Sequence, residues 1–261
     1  TLSREADRIL TLRSGSMAFL EHLHLSGLSE ATIKAHGNAH RQFEKFWGSE
    51  RDLREATPSD LEAYALAIRS RVSRETAYLY LASVRNLFGF LAQSQRILLD
   101  PTRGLPMPKM NERLTGRILS REEMKRLVEA PASVKPTGLR DRAMLEFLYS
   151  TGLRASENRS VKGVDLREDS IFVSAGKGWK DRLVPVGAHA MAWVRKYLRE
   201  AWPKMARYRP GAELLWLTQW GKPFGEILFQ QHLRKLGRGA GIESLTCHMI
   251  RRSMATHLLA A

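Results

Sequence analysis

Three short stretches of this chain carry side chains able to hold an anion or to move protons on one. The stretch "TCHMIRRSMATHLL", residues 246–259, reads as a helix that Thr246 can cap, with Ile250, Met254 and Leu258 in an apolar row. Its first two turns carry His248, Arg251 and Arg252. A helix N-terminus is already partly positive, so cations there are unfavourable unless an anion sits with them. Phosphate is the obvious anion. In "STGLRASE" a glycine turn ends one apolar helix and Arg154 opens the next. In "AGKGWKDR" Lys177 lies between two glycines at a hairpin tip. Each residue alone has a plainer reading. Arg154 fits a helix-terminal salt bridge, Lys177 an exposed turn, and His248 a structural histidine. "GKG" is not a phosphate loop, because the GxxxxGK[ST] spacing is absent. The pairs His22/His24 and His36/His40 have metal-like spacing, but they lack carboxylate or cysteine company and read as surface or DNA-facing groups.

The elements that must position these residues fall into two regions. Before residue 100 the pattern is helical throughout. "GLSEATIKAHGNAHRQFEKFWG" starts at a Ser29 cap and repeats Ala31, Ala35, Ala39, Phe43 and Trp47 every four residues. "TPSDLEAYALAIRSR" has Pro58 at a helix start. "SRETAYLYLASVRNLFGFLAQS" aligns Ala77, Leu81, Val84, Phe88 and Leu91. With a helix near residues 14–25 this predicts a four-helix domain over 1–100. Lys34, Arg41 and Lys45 share one polar face, and Arg74, Tyr78 and Arg85 flank the apolar stripe of the last helix. Prolines 101, 106 and 108 then stop the helix and favour extended chain, which predicts a basic linker over 101–118 that includes Lys109. From 119 to 261 the pattern mixes. "LSREEMKRLVEAP", "GLRDRAMLEFLYSTG", "AHAMAWVRKYLREAW" and "GEILFQQHLRKLGRGAG" read as helices, and "SIFVSAGKGWKDRLVPV" reads as a hairpin. The expected fold class is mainly α, with a mostly helical second domain holding a small antiparallel sheet.

Composition narrows the partner. The 261 residues include 42 Lys and Arg against 27 Asp and Glu, a net charge of +15. A folded chain this basic suggests a polyanion, with nucleic acid first. An anionic membrane surface is the weaker choice, since no basic amphipathic helix with a Trp/Leu face is visible. The apolar fraction of 43% suits a globular protein. The charged N-terminus "TLSREADRILTLRSGS" shows no signal core, so a cytoplasmic location is expected. One cysteine, Cys247, leaves neither an internal disulfide nor a cysteine cluster for zinc.

Taken in order, "TGLRASE", "GKGWKDRLVPV", "LWLTQWGKPF" and "CHMIRRSMATHLL", after "SVRNLFGFLAQSQRILLDPTRGLPMPK", resemble the tyrosine recombinase (phage integrase) family, over about residues 14–261. The flavour is Xer-like. The resemblance implies an N-terminal four-helix core-binding (SAM-like) domain and a catalytic domain that clamp duplex DNA, assembling as a homo- or hetero-tetramer on it. It implies site-specific cutting and rejoining through a 3′-phosphotyrosine, with no metal, no nucleotide and no other cofactor. Arg154 and Arg251 would bind the non-bridging oxygens of the scissile phosphate, a geometry that suits two guanidinium forks. Lys177 would protonate the departing 5′ oxygen, and His248 would assist proton transfer at the attacking side. Lys34, Arg41, Lys45, Arg74, Arg85 and Lys109 are expected to bind DNA. The family's tyrosine and a further His or Trp lie beyond the HxxR helix. The tyrosines here are 64, 78, 80, 149, 197 and 208, none at that place, and Tyr149 reads as helix packing. The sequence is therefore expected to be C-terminally truncated and unable to cleave. Arg252 stands where many relatives carry His. The other readings are a non-catalytic DNA-binding relative that keeps the clamp, and a generic basic RNA-binding protein, which would leave the ordered Arg/Lys/HxxR set unexplained.

Overall fold

The computed structural model describes residues 9–109, 116–174 and 181–260. The chain divides into two compact units, Thr1–Glu112 and Arg113–Ala261. The fold is mainly α, with one small antiparallel sheet. Among the described residues no helix is long and apolar enough to cross a membrane.

Among the described residues unit 1 holds four α-helices: α1 (Leu12–Leu25), α2 (Glu30–Trp47), α3 (Pro58–Arg69) and α4 (Arg74–Gln93). Each begins where a hydroxyl can cap it. Thr11, Ser29, Thr57 and Ser73 accept backbone N–H groups, and at Thr57 the Asp60 carboxylate reaches back to complete a capping box. Helix α4 is the centre of the unit, packed by α1, α2 and α3. Its expected stripe of Ala77, Leu81, Val84, Phe88 and Leu91 is fully buried. Each large apolar side chain sealed there contributes about 1.5–3 kcal/mol.

The row read on α2 departs from the structure. Ala39, Phe43 and Trp47 are buried, but Ala31 and Ala35 are exposed. Four-residue steps overshoot a 3.6-residue turn by about 40° each, so the row, counted back from Trp47, leaves the buried face after Ala39. Ile33, His36 and His40 occupy the inner face instead. The His36/His40 pair is thus not a surface pair. His40 is 2% exposed. Its Nδ1 lies 2.7 Å from Ser16 Oγ and its Nε2 3.4 Å from the Ser83 carbonyl, while His36 Nδ1 lies 2.7 Å from Ser83 Oγ. Phe19 packs against both rings.

Burial lowers the His40 pKa to about 4, and His36 is lowered for the same reason. A depressed histidine pKa means that the unfolded chain binds the proton more readily. Stability is therefore complete above the ordinary value of 6.5 and falls as pH drops toward 4. The loss at the acid end is about 3 kcal/mol for His40. Hydrogen exchange corrected for intrinsic rates should show α1, α2 and α4 losing protection between about pH 7 and pH 5. His40→Gln should flatten that dependence; an equal loss in the variant would show that another group is responsible.

The first half of the expected linker is built into unit 1. Asp100 Oδ1 accepts from the backbone and side chain of Thr102, at 2.8 and 2.6 Å, and Leu105 is buried against the helical core. Residues 110–115, also part of that linker, lie outside the described residues.

Unit 2 contains α5 (Arg121–Glu129), α6 (Pro136–Thr151), α7 (Ala155–Ser160), β1 (Ser170–Val173), β2 (Arg182–Pro185), α8 (Ala188–Glu200), α9 (Trp202–Ala206), α10 (Glu226–Gly239) and α11 (Cys247–Leu259). The strands pair antiparallel, with Ser170 opposite Pro185 and Val173 opposite Arg182. Helix α6 is buried nearly all round, touching α5, α8, α9, α11 and β2. A helix in that position needs polar groups that satisfy one another. Arg140 donates twice to Asp141 Oδ1, at 2.8 and 2.6 Å, and once to the Leu217 carbonyl at 3.0 Å. His232 Nε2 lies 2.7 Å from the same carboxylate oxygen.

Helix α11 starts at Thr246, which accepts from the Met249 N–H at 3.2 Å. Its expected row holds only at its first member. Ile250 is buried, Met254 is half-buried and Leu258 is 73% exposed. Ser253 takes the inner position. Its Oγ accepts from the buried Leu119 N–H at 2.8 Å and donates to the Met249 carbonyl at 2.8 Å.

A candidate active site at a glycine turn

The site is organised by the end of α6. Gly152 adopts φ +57°, the left-handed conformation that terminates a helix and that side chains with a Cβ resist. A Cβ here would also meet the Met254 methyl of α11 at 2.0 Å. The chain then turns through Leu153 and enters α7 with Arg154 as its N-cap residue.

Helix α11 docks on this turn through its first two turns. Arg251 Nη1 donates to the Gly152 carbonyl at 2.6 Å, and the Cys247 thiol lies 3.6 Å from the Leu153 carbonyl oxygen. Burial raises the Cys247 pKa to about 11, so the thiol stays protonated and unreactive. Arg251 is therefore bonded two residues from Arg154, although 97 positions separate them in sequence. His248 follows Cys247 and is exposed on the same first turn. No acidic residue occupies that turn.

Arg154 points toward Glu157, three residues on. Its backbone N–H donates to Glu157 Oε2 at 2.9 Å and its Nη1 to Oε1 at 3.0 Å. Glu157 acts at the third helical position, where a carboxylate satisfies an orphan N–H. Arg182, from β2, donates to the same Oε2 at 2.9 Å. The Glu157 side chain is 7% exposed, against 47% for Arg154 and 35% for Arg182. Burial would push the Glu157 carboxyl up, but the hydrogen bonds from Arg182 and Arg154 outweigh it and hold its pKa below the usual glutamate range. Arg154, Arg182 and Arg251 against Glu157 leave two uncompensated positive charges around one turn. Such a surface is suited to an anion with several oxygens.

The structure thus ties Arg251 to the turn that leads into Arg154, and leaves His248 exposed on the first turn of the same helix α11. Lys177 lies in 175–180, outside the described residues. Lys34, Arg41, Lys45, Arg74, Arg85 and Lys109 are all exposed in unit 1. Glu157 and Arg182 join the cluster without having been singled out in the sequence. Glu157 had a visible signal, an acid three residues after a helix-opening position. Arg182 had none apart from the hairpin that returns it to α7.

Tyr64 and Tyr197 are buried, the latter donating to the Leu215 carbonyl at 2.9 Å. Tyr149 OH lies 2.7 Å from His257 Nδ1, and burial raises its pKa. Tyr208 is exposed beside Arg207, and Tyr78 and Tyr80 are half-buried in α4.

Residues 117–261 match the model of the phage integrase family, and residues 17–95 match that of the phage integrase N-terminal SAM-like domain. Tyrosine recombinase XerC 2 of Ralstonia nicotianae is 34% identical over 262 residues, covering 94% of this chain and 73% of the relative. Tyrosine recombinase XerD of Listeria monocytogenes is 34% identical over 239 residues, covering 89% and 80%. In fold, the chain is similar to a lambda integrase dimer bound to a COC′ core site, with a TM-score of 0.74 at 15% identity, over 97% of this chain and 71% of that one. With both units matched and relatives a third identical along most of its length, this chain belongs to the phage integrase family, the tyrosine recombinases.

Proposed function

We propose that this chain is a site-specific DNA recombinase that cuts and rejoins duplex DNA through a 3′-phosphotyrosine. The observation that carries the reading is the bond from Arg251 to Gly152, which brings a second guanidinium to the turn that presents Arg154. Arg154 and Arg251 hold the non-bridging oxygens of the scissile phosphate and stabilise the charge that grows there as the phosphorus becomes five-coordinate. The tyrosine oxygen forms a bond to phosphorus, the bond to the 5′ oxygen breaks, and Lys177 supplies the proton that the leaving oxygen takes. His248 assists proton transfer on the attacking side. The phosphodiester's energy is kept in the new ester, so the exchange needs neither nucleotide nor metal. Exposed Lys34, Arg41, Lys45, Arg74, Arg85 and Lys109 of unit 1 bind the DNA backbone, and the solved relatives on DNA, a dimer on a core site and a tetramer on a Holliday junction, support a multimer at the site.

None of the six tyrosines serves as the nucleophile in this reading. The test starts with duplex captured by the protein from fragmented genomic DNA. A nicked form of it is incubated with residues 1–261 and, in parallel, with the protein expressed from its whole reading frame. The first should give no covalent adduct on a denaturing gel and the second should give one. An adduct from residues 1–261 alone would place the nucleophile among the tyrosines present. Binding with no adduct from either would favour a non-catalytic DNA-binding relative.

A further inference from the structure

We propose that Arg182 is a positioning residue for Arg154, keeping that side chain available to a phosphate by sharing the buried Glu157 carboxylate. The inference rests on the reading of Arg154 as a phosphate ligand. The geometry divides the carboxylate between two arginines. Oε1 takes only the Arg154 side chain, at 3.0 Å, among the described residues. Oε2 takes the Arg154 backbone N–H at 2.9 Å and Arg182 Nη2 at 2.9 Å.

The consequence follows from where the charges sit. Glu157 is nearly sealed from water, and a sealed carboxylate with one cationic partner binds that partner strongly, because releasing it leaves an uncompensated buried charge. Arg154 would then be closed into a neutral pair and would meet a phosphate only against that cost. Arg182 removes the difficulty. It supplies a second cation on the same carboxylate, so Glu157 stays compensated while Arg154 turns toward the anion. Among the described residues Arg154 commits one of its five N–H donors to Glu157, and the remaining donors are free to form a fork on two oxygens. Arg182 comes from β2, and its extended register opposite Val173 fixes the approach. Its role is electrostatic and indirect, and it touches no substrate.

The test uses the 261-residue chain and a short duplex of arbitrary sequence, with affinity measured over a range of salt. Arg154→Gln and Arg182→Gln should each weaken binding about tenfold, the usual scale of one charge-assisted contact. Each should reduce the salt slope by about 0.9, the equivalent of one phosphate contact. The double variant should be no weaker than Arg154→Gln alone, because both changes remove the same contact. Arg182→Lys should retain most of the affinity, since the role requires a cation on Oε2. A double variant weakened about a hundredfold would show Arg182 holding a phosphate itself, and would overturn the proposal. Equal loss in the Lys and Gln variants, with a lowered melting temperature, would reduce Arg182 to a structural strut and also overturn it. If Arg154→Gln left affinity and slope unchanged, the phosphate reading of Arg154 would fall first, an outcome distinct from the other two.

Discussion

Arg251→Ala, made in the protein expressed from its whole reading frame, should slow covalent complex formation on a nicked duplex by about a hundred- to thousandfold. Affinity for the same duplex should fall by no more than about tenfold, because many backbone contacts share the binding. The asymmetry comes from when Arg251 acts. A phosphodiester carries one charge at rest and more as phosphorus expands its coordination, so a cation placed on the expanding group contributes most at the barrier. On the proposed reading Arg251 is held in place beforehand, with Nη1 on the Gly152 carbonyl at 2.6 Å, which restricts the side chain before DNA arrives. Arg251→Lys should recover little. An ammonium is a point charge and cannot hold the carbonyl and face two oxygens with a planar fork. Cleavage within a fewfold of the parent protein in Arg251→Ala would remove Arg251 from the mechanism.

The largest effect on stability is expected at Asp141. Arg140 is 4% exposed and lodged in the second unit, with its guanidinium 5.0 Å from the Phe224 ring. Asp141 is its counter-charge and also accepts from His232, at 2.7 Å. Asp141→Ala leaves a buried cation unpaired, a change that costs about 3–5 kcal/mol, whereas removing both charges together costs much less. Asp141→Ala should therefore lose hydrogen-exchange protection across α6 and α10 and lower the melting temperature of the chain. Arg140→Met/Asp141→Leu should recover most of it. A double variant as unstable as the single one would mean that the hydrogen bond from Arg140 to the Leu217 carbonyl, rather than the charge pair, holds this part of the core.

Much of the architecture was legible because local chemistry and the fold agreed. Ser29 and Thr246 cap helices where a capping oxygen was expected, and Pro58 opens one where a start was read. The α4 stripe is buried as its spacing predicted, since its mixed steps of three and four track the 3.6-residue turn. The α2 and α11 rows were read at a uniform spacing of four, and they drift off the core at Ala31, Ala35 and Leu258. His36 and His40 were misread because their partners, Ser16, Phe19 and Ser83, come from other helices. The first turn of α11 holds no acidic residue, as the sequence showed, and Arg251 on its second turn bonds to the Gly152 carbonyl. Glu157 was visible in "TGLRASE" as an acid at the third helical position. Arg182 was not, because its place opposite Val173 is set by strand register, a property of the folded hairpin.

The turn at Gly152 also settles how accurately the two arginines can be placed. One carbonyl anchors Arg251, and two residues later the same backbone presents Arg154, so both are measured from a single datum. If α6 shifts in its bed, both anchor points shift together, and the error is common to them. The spacing of their anchor points depends on two peptide units and one hydrogen bond, all stiff compared with the packing of a sixteen-residue helix. A phosphate requires a fixed span between its ligands far more than it requires a fixed address in the protein. On the proposed reading of Arg154 and Arg251, gauging both from one short turn favours a constant span while the surrounding helices fluctuate.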